Sequence, residues 1–160
     1  MNLHVTSRPD RTARPNPKPR NCSRGVLLYS WGTRQYVFAT PYTSVPSYTL
    51  KATATAAYSD PFSICFTDTY DYIYDEDLGN YVTTETDYGE ELNGLLRASA
   101  YSVYGPREKF TFACTVDYCY IYSHANFRYV AAEVSWLGDN RGMLRARTLG
   151  KDFGPWEKFN

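Results

Sequence analysis

Three segments of this chain repeat one pattern of residues, and this repeat constrains the fold more than any other feature. Each copy opens with an aliphatic residue and a Tyr, and a Tyr-Val pair begins eight residues after that aliphatic residue. A Leu-(Lys/Arg)-Ala triplet begins fourteen or fifteen residues after the Tyr of the pair. The copies open at Leu28, Ile73 and Ile121, so they lie 45 to 48 residues apart. A period of this length indicates one supersecondary unit repeated three times.

Each copy also ends in a recognisable way. A turn dipeptide, Asp-Pro or Gly-Pro, begins at Asp60, Gly105 or Gly154 and precedes a short apolar segment. The apolar segments alternate with polar residues, which is the period of a strand, and the 16 Tyr residues favour pleated surfaces. Four short strands per copy, repeated three times, predict a closed threefold barrel with a cap, because closure removes free sheet edges.

The second and third copies share a motif that is long enough to compare with known families. In the third copy it reads Gly142-Met143-Leu144-Arg145-Ala146-Arg147 and then Gly154-Pro155-Trp156-Glu157-Lys158-Phe159. In the second copy, Arg97-Ala98 and Gly105-Pro106-Arg107-Glu108-Lys109-Phe110 repeat it. This motif resembles the repeat of fascin-like β-trefoil proteins, especially bacterial ones, over residues 26–160.

The resemblance implies an all-β fold, a β-trefoil with three pseudo-repeats of about 45 residues and four short strands in each. It also implies a binding role, because members of this family bundle actin, bind carbohydrate or accompany other domains. It implies no shared catalytic residues, and a fold by itself does not determine a function.

The two ends of the chain differ from the repeats. Residues 1–25 form a basic, Pro-rich segment, and residues 26–160 form the predicted domain. The third copy stops at Phe159-Asn160, so its fourth strand is almost absent, whereas residues 2–7 alternate apolar and polar side chains. We therefore predict that residues 2–7 supply the missing strand, within one chain or by exchange between chains. The alternative is a frayed end with a disordered leader.

The charge of the chain is distributed unevenly. Residues 1–24 hold six basic residues and one acidic residue, whereas the remainder holds eleven basic and sixteen acidic residues. Nucleic acid binding is therefore not expected, since it would depend mostly on the leader. No apolar run approaches the ~18 residues of a membrane helix, and no secretory signal is visible. We expect a soluble protein without a membrane partner, and the sequence does not indicate its cellular location.

The cysteines and histidines are too scattered for a zinc site, so we expect no metal. A hairpin disulfide between Cys114 and Cys119 and two reduced core thiols are equally compatible with the spacing. The state of Cys22 and Cys65 is left open.

Catalytic motifs are missing from the sequence: there is no G-x-S-x-G, no H-E-x-x-H and no phosphate-binding loop. We therefore expect a protein that is not an enzyme and that needs no cofactor.

The loop after the Tyr-Val strand is the best candidate for a binding site. It carries an aromatic residue in each copy, Tyr42, Tyr88 or Trp136, with polar neighbours that include Glu90, Asp139 and Asn140. Sugars bind to such combinations, since their C–H faces stack on rings while their hydroxyl groups need directional partners. The alternative is that the three rings cap the barrel as part of its core.

A basic residue occupies one matched strand position in all three copies, namely Lys51, Arg97 or Arg145. With Arg147 these side chains form either a basic patch for phosphate or for an acidic partner, or ordinary solvent-facing residues of a sheet.

Taken together, these features predict a non-enzymatic, lectin-like protein that binds carbohydrate. The alternative is a module for protein interaction or self-assembly that acts through its termini, with a homo-oligomer formed by strand exchange.

Overall fold

The computed structural model describes residues 21–44, 46–136 and 138–160, and these residues form an all-β structure. Their regular structure is strands joined by turns and single 3₁₀ turns. The twelve strands are β1 (Asn21–Val26), β2 (Tyr29–Ser30), β3 (Gln35–Ala39), β4 (Leu50–Ala54), β5 (Phe62–Phe66), β6 (Asp71–Asp75), β7 (Asn80–Glu85), β8 (Leu95–Ala100), β9 (Phe110–Cys114), β10 (Cys119–Ser123), β11 (Arg128–Ala132) and β12 (Leu144–Thr148). The prediction of an all-β fold is confirmed. No helix in the described ranges is long and apolar enough to cross a membrane.

Seven of these strands close into a ring. The order is β6-β7-β8-β12-β11-β10-β9, and β9 pairs back with β6. The strands β5 and β1 extend the sheet from β6, while β2, β3 and β4 form a separate three-stranded sheet. Isolated bridges join this small sheet to the ring, among them Thr49 with Arg97 and Lys51 with Met143. The ring leaves few unpaired strand edges among the described residues.

The strands fall into three consecutive units, β2–β5, β6–β9, and β10 to Asn160, which we call the first, second and third units. The hairpin at the start of each unit has the same pairing register. In each unit a Tyr on the first strand faces the Tyr of the Tyr-Val pair, and a bulge separates that Tyr from the Val. The paired rings lie edge to face with centroids 5.1, 4.9 and 5.0 Å apart. Such ring pairs add stability beyond the apolar area that they bury.

Matching residues of the three units meet in one core. Val37, Val82 and Val130 are completely buried, and the Leu and Ala residues of the three triplets lie around them. Three phenylalanines at the ends of the units, Phe62, Phe110 and Phe159, have no exposed surface either. Burial of side chains of this size stabilises the fold by roughly 1.5 to 3 kcal/mol each.

The third unit differs from the others after its core Phe. Phe62 and Phe110 begin β5 and β9, whereas Phe159 forms only isolated bridges, to Ser30 and to Cys119. The described part of this unit thus lacks a regular fourth strand, as the sequence indicates. Residues 2–7, which we predict to fill its place, lie outside the described residues, so this strand and the homo-oligomer remain predictions.

The first strand crosses the boundary that we drew between residues 25 and 26. β1 begins at Asn21 and pairs antiparallel with β5, and a disulfide joins the paired residues Cys22 and Cys65. The second disulfide links Cys114 to Cys119 across β9 and β10. Of the two states compatible with the sequence, a hairpin disulfide and two reduced thiols, the structure has the disulfide. The Cys22–Cys65 bond was not foreseen, because it depends on the pairing of β1 with β5.

Replacing Cys22 and Cys65 together by alanine is expected to release β1 without unfolding the barrel. β1 is an edge strand, and the disulfide closes a loop between residues 43 positions apart. Trypsin should then cut after Arg24 about tenfold faster or more, since local opening governs cleavage. Replacing Cys114 and Cys119 by alanine is the control. Equal cleavage in the two variants, measured by mass spectrometry, would show that the disulfide does not hold β1.

Candidate functional site

The loops that follow the second strand of each unit meet at three seams between neighbouring units. The described residues of these loops are 40–44, 46–49, 86–94, 133–136 and 138–143. A backbone hydrogen bond crosses each seam, and it runs from the buried Ala of one triplet to the preceding unit. The three bonds are Ala98 N to Tyr48 O (2.9 Å), Ala146 N to Gly94 O (2.8 Å) and Ala52 N to Gly142 O (2.8 Å). The loops are thereby held in equivalent places, and their side chains can be compared directly.

An arginine closes the seam between the first and second units. Arg97 donates from Nη1 to Glu85 Oε2 at 2.8 Å and to the Tyr88 hydroxyl at 3.0 Å. Its Nε and Nη2 atoms cross the seam and donate to the carbonyl and hydroxyl oxygens of Ser47 at 2.7 and 3.1 Å. Only 18% of the Arg97 side chain and 12% of the Glu85 side chain are exposed. We call this arrangement of arginine, carboxylate and aromatic ring an arginine clamp.

A second arginine clamp closes the seam between the second and third units. Arg145 donates to Glu133 Oε2 at 3.1 Å, and its Nε and Nη2 atoms cross the seam to the carbonyl oxygens of Asn93 and Glu90. The guanidinium carbon lies 5.3 Å from the centre of the Trp136 ring, within range of a cation–π interaction. Arg97 and Arg145 are therefore paired with carboxylates, and they do not form a free basic patch.

The seam between the third and first units has no arginine clamp. Lys51 stands at the position of the two arginines, since it faces Phe38 as Arg97 faces Thr83 in the shared register. Thr40 stands at the position of the two glutamates, directly after Ala39. Among the residues that the structure describes, Lys51 has no carboxylate within ion-pair distance.

This seam opens into a cavity of about 520 Å³, which we call the cleft. A volume of this size is typical of small-molecule sites, which combine apolar walls with a few polar groups. The first unit contributes Phe38, Thr40, Pro41, Thr43, Ser44, Pro46, Thr49 and Lys51, and the third unit contributes Asp139, Asn140 and Met143.

Thr40 has an unusual environment within the cleft. The residue is only 4% exposed, and its hydroxyl oxygen is buried and has no hydrogen-bond partner among the described residues. The neighbouring Thr49 hydroxyl, by contrast, donates to the carbonyl oxygen of Pro46 at 2.8 Å. A buried hydroxyl without a partner is unfavourable by about 1 to 3 kcal/mol. Such a group is more easily understood if a ligand provides the missing hydrogen bond.

The structure divides the six predicted site residues between several places. Asp139 and Asn140 are exposed and line the cleft. Tyr88 and Trp136 are half-buried, and each contacts the arginine of its own clamp.

The other two residues lie elsewhere. Glu90 is exposed beside a separate cavity of about 380 Å³ between the second and third units, where Arg145 also lies. Tyr42 is 71% exposed and does not line either cavity. The predicted pairing of a ring with a polar loop is therefore not repeated in the three units.

The sequence does not single out two residues of the cleft, Phe38 and Thr40, as ligand-binding residues, and it offers Lys51 only as part of a basic patch with the arginines. The aromatic residue that lines the cleft is Phe38, on strand β3, whereas the sequence places an aromatic residue in the loop that follows, at Tyr42. A signal for Thr40 was present in the sequence, because the second and third copies carry Glu85 and Glu133 at its position. Only the structure shows that Lys51 lies near Thr40 and that both line one cavity.

No group of three or more His, Cys, Asp or Glu side chains within residues 21–44, 46–136 and 138–160 is arranged to hold a metal ion. The cleft can nevertheless provide hydroxyl, amide, carboxylate and ammonium groups beside an aromatic ring. This set of groups can form hydrogen bonds with a polar ligand and pack against its apolar face.

Several solved structures have a fold similar to that of this chain, and two of them can be compared with it. One is a GlcNAcα1-4Gal-releasing endo-β-galactosidase from Clostridium perfringens, with a TM-score of 0.65 and 9% identity over 86% of this chain and 31% of the other. The second is Cry35Ab1, with a TM-score of 0.53 and 13% identity over 84% of this chain and 34% of the other. This chain thus spans about a third of each protein, and identities this low show a similarity of fold alone.

No protein-family model matches the chain, and no curated protein matches its sequence. Neither of the two similar structures is described as a fascin-like protein, so membership of that family remains a prediction.

Proposed function

We propose that this chain is a non-enzymatic β-trefoil that binds carbohydrate in the cleft between its first and third units. The β-trefoil assignment is supported by three hairpins with one register, three matching sets of core residues and three equivalent seams. One of the two similar structures acts, by its name, on a galactose-containing carbohydrate, which supports a carbohydrate ligand without identifying it.

The observation that carries the proposal is the buried Thr40 hydroxyl without a partner. A sugar hydroxyl group can both donate to and accept from it, and Asp139 and Asn140 can bind further hydroxyl groups at the rim. Phe38 and the two prolines Pro41 and Pro46 provide apolar surface for the C–H face of a sugar ring. No catalytic pair of carboxylates is needed for binding of this kind.

Thr40→Val distinguishes a ligand-binding hydroxyl from a structural one. Valine has nearly the same shape, so the variant should bind glycan about three- to tenfold more weakly, since one hydrogen bond is lost. It should also be more stable than the wild type in the absence of glycan, by about 1 kcal/mol, because the unpaired hydroxyl is removed. A glycan array followed by calorimetric titration and chemical denaturation measures both effects.

Thr69→Val is the matched control, because Thr69 lies in an exposed turn far along the chain from the cleft. It should change neither binding nor stability. If Thr40→Val binds the array glycans as tightly as the wild type, the cleft is not the site. If no glycan binds the wild-type protein, the proposed function itself is wrong.

A further inference from the structure

The cation of the cleft lacks the carboxylate that its two counterparts have. Arg97 is paired with Glu85 and Arg145 with Glu133, and both pairs are mostly buried. Thr40 stands in place of the glutamate in the first unit, and it lines the cavity of about 520 Å³ together with Lys51. Two seams thus provide their own anion, and the third has a cavity where that anion would lie.

An ammonium group in a partly enclosed site is stabilised by a charged hydrogen-bond partner. Lys51 is only half-exposed, and the described residues offer it no such partner. The hydroxyl group of Thr40 is also unpaired, and it can donate a hydrogen bond to an anion. Thr40 and Lys51 both line the cleft, so a single anionic acceptor bound there can pair with Lys51 and approach the buried Thr40 hydroxyl.

We infer that the ligand supplies the third carboxylate, so that the cleft takes an acidic sugar, a uronate or a sialate residue within a glycan. This inference rests on the proposed function and names the class of sugar. The carboxylate accepts hydrogen bonds from Lys51 Nζ and Thr40 Oγ1, in the place that Glu85 and Glu133 occupy at the other seams. The sugar ring lies against Phe38, and its hydroxyl groups face Asn140.

One carboxylate of the protein also lines the cleft, and it must be weighed against Lys51. Asp139 is exposed at the rim, where water and salt screen its charge. It can accept hydrogen bonds from sugar hydroxyl groups there. A neutral sugar could use Asp139, Asn140 and Thr40, but it would leave Lys51 without a counter-charge.

Titration calorimetry with four probes tests the inference. The probes are the trimer of galacturonic acid, 3′-sialyllactose and the methyl ester of each. We expect at least one acid probe to bind at least tenfold more tightly than its uncharged counterpart, a difference of about 1.4 kcal/mol. The esters keep the sugar rings and remove the charge, and the two acids distinguish a uronate from a sialate.

Two variants assign the effect to the cleft. Lys51→Met keeps the apolar stem and should reduce the binding of the acid probe to the level of its uncharged counterpart. The double variant Thr40→Glu with Lys51→Arg introduces the residues of the other two seams, so it should pair internally and abolish binding while remaining folded. Lys151→Met, at an exposed lysine in a turn, should leave binding unchanged.

The results separate this inference from the proposed function. Equal binding of the acid and uncharged probes, or full binding by Lys51→Met, overturns the carboxylate and leaves a neutral carbohydrate ligand. Failure of the wild-type protein to bind any glycan, charged or neutral, overturns both. If the double variant does not fold, Lys51→Met and the ester comparison still decide the question.

Discussion

Replacing Gly94 with alanine is expected to lower the free energy of unfolding by about 3 kcal/mol, because two unfavourable effects coincide. Gly94 has a φ of +88°, a conformation that costs an L-residue with a side chain roughly 1 to 2 kcal/mol. An added Cβ atom would also overlap the carbonyl oxygen of Ala146. That carbonyl accepts a hydrogen bond from Asn126 Nδ2 at 2.8 Å, so it cannot move away freely.

Gly89→Ala is the control in the same loop, since nothing lies within 4 Å of the position of its added Cβ. It should change stability by less than about 0.5 kcal/mol. Gly142, at the equivalent seam position with a φ of +82°, should respond to alanine in the same direction as Gly94. Urea denaturation of the three variants measures the effect. Equal stability of Gly94→Ala and Gly89→Ala would mean that the seam is not closely packed.

A buried carboxyl group makes stability depend on pH, and Asp75→Asn should remove this dependence. Asp75 occupies the position of Ser30 and Ser123, and all three side chains are completely buried. Burial, followed by the neighbouring Asp60 carboxyl, raises the pKa of Asp75 to about 7. Its Oδ1 atom accepts hydrogen bonds from the backbone N–H groups of Asp77 and Leu78, and its Oδ2 atom has no partner among the described residues. A proton between the two carboxyl groups provides the missing donor.

The direction of the pH effect follows from the raised pKa of Asp75. Below pH 3.8 the carboxyl is protonated in the folded and unfolded chains alike, and its full contribution to stability is present. As the pH rises, the unfolded chain loses its proton first, and the contribution is lost progressively up to about pH 7. Between pH 5 and 8.5 the wild type should lose about 3 kcal/mol relative to Asp75→Asn, from two pH units at ~1.4 kcal/mol each.

In the variant, the amide of residue 75 donates to Asp60 at every pH, and its oxygen still accepts from the turn. Asp77→Asn removes a carboxylate from the same turn at an exposed position, so it serves as the control. Denaturation curves across this pH range compare the three proteins. A wild-type profile parallel to that of Asp75→Asn would show that Asp75 titrates as an ordinary carboxyl.

The sequence predicts the core because the core residues recur at matching positions in the three copies of the repeat. Val37, Val82 and Val130 each follow the Tyr of the repeated Tyr-Val pair, and all three are completely buried. The hairpin disulfide between Cys114 and Cys119 could also be anticipated, since its two residues are close in the chain.

The cleft could not be predicted in the same way, because it depends on which loops face each other after the ring has closed. Lys51 and Asn140 are far apart in the chain, and they meet only across the seam between the first and third units. The sequence places the aromatic residue of the first unit at Tyr42, because Tyr42 aligns with Tyr88. The loop of the first copy is shorter, however, so this alignment does not give equivalent positions in space. In the structure Tyr42 points to solvent, and Phe38 lines the cleft instead.

The central claim is that the seam without an arginine clamp is the ligand site. A crystal structure of the protein with a glycan that binds on the array tests it most directly. We predict density for the glycan between the loops of residues 40–49 and 138–143, within hydrogen-bond distance of Thr40 Oγ1. A glycan bound at Trp136 or Tyr88, with nothing in contact with Thr40, would contradict the claim.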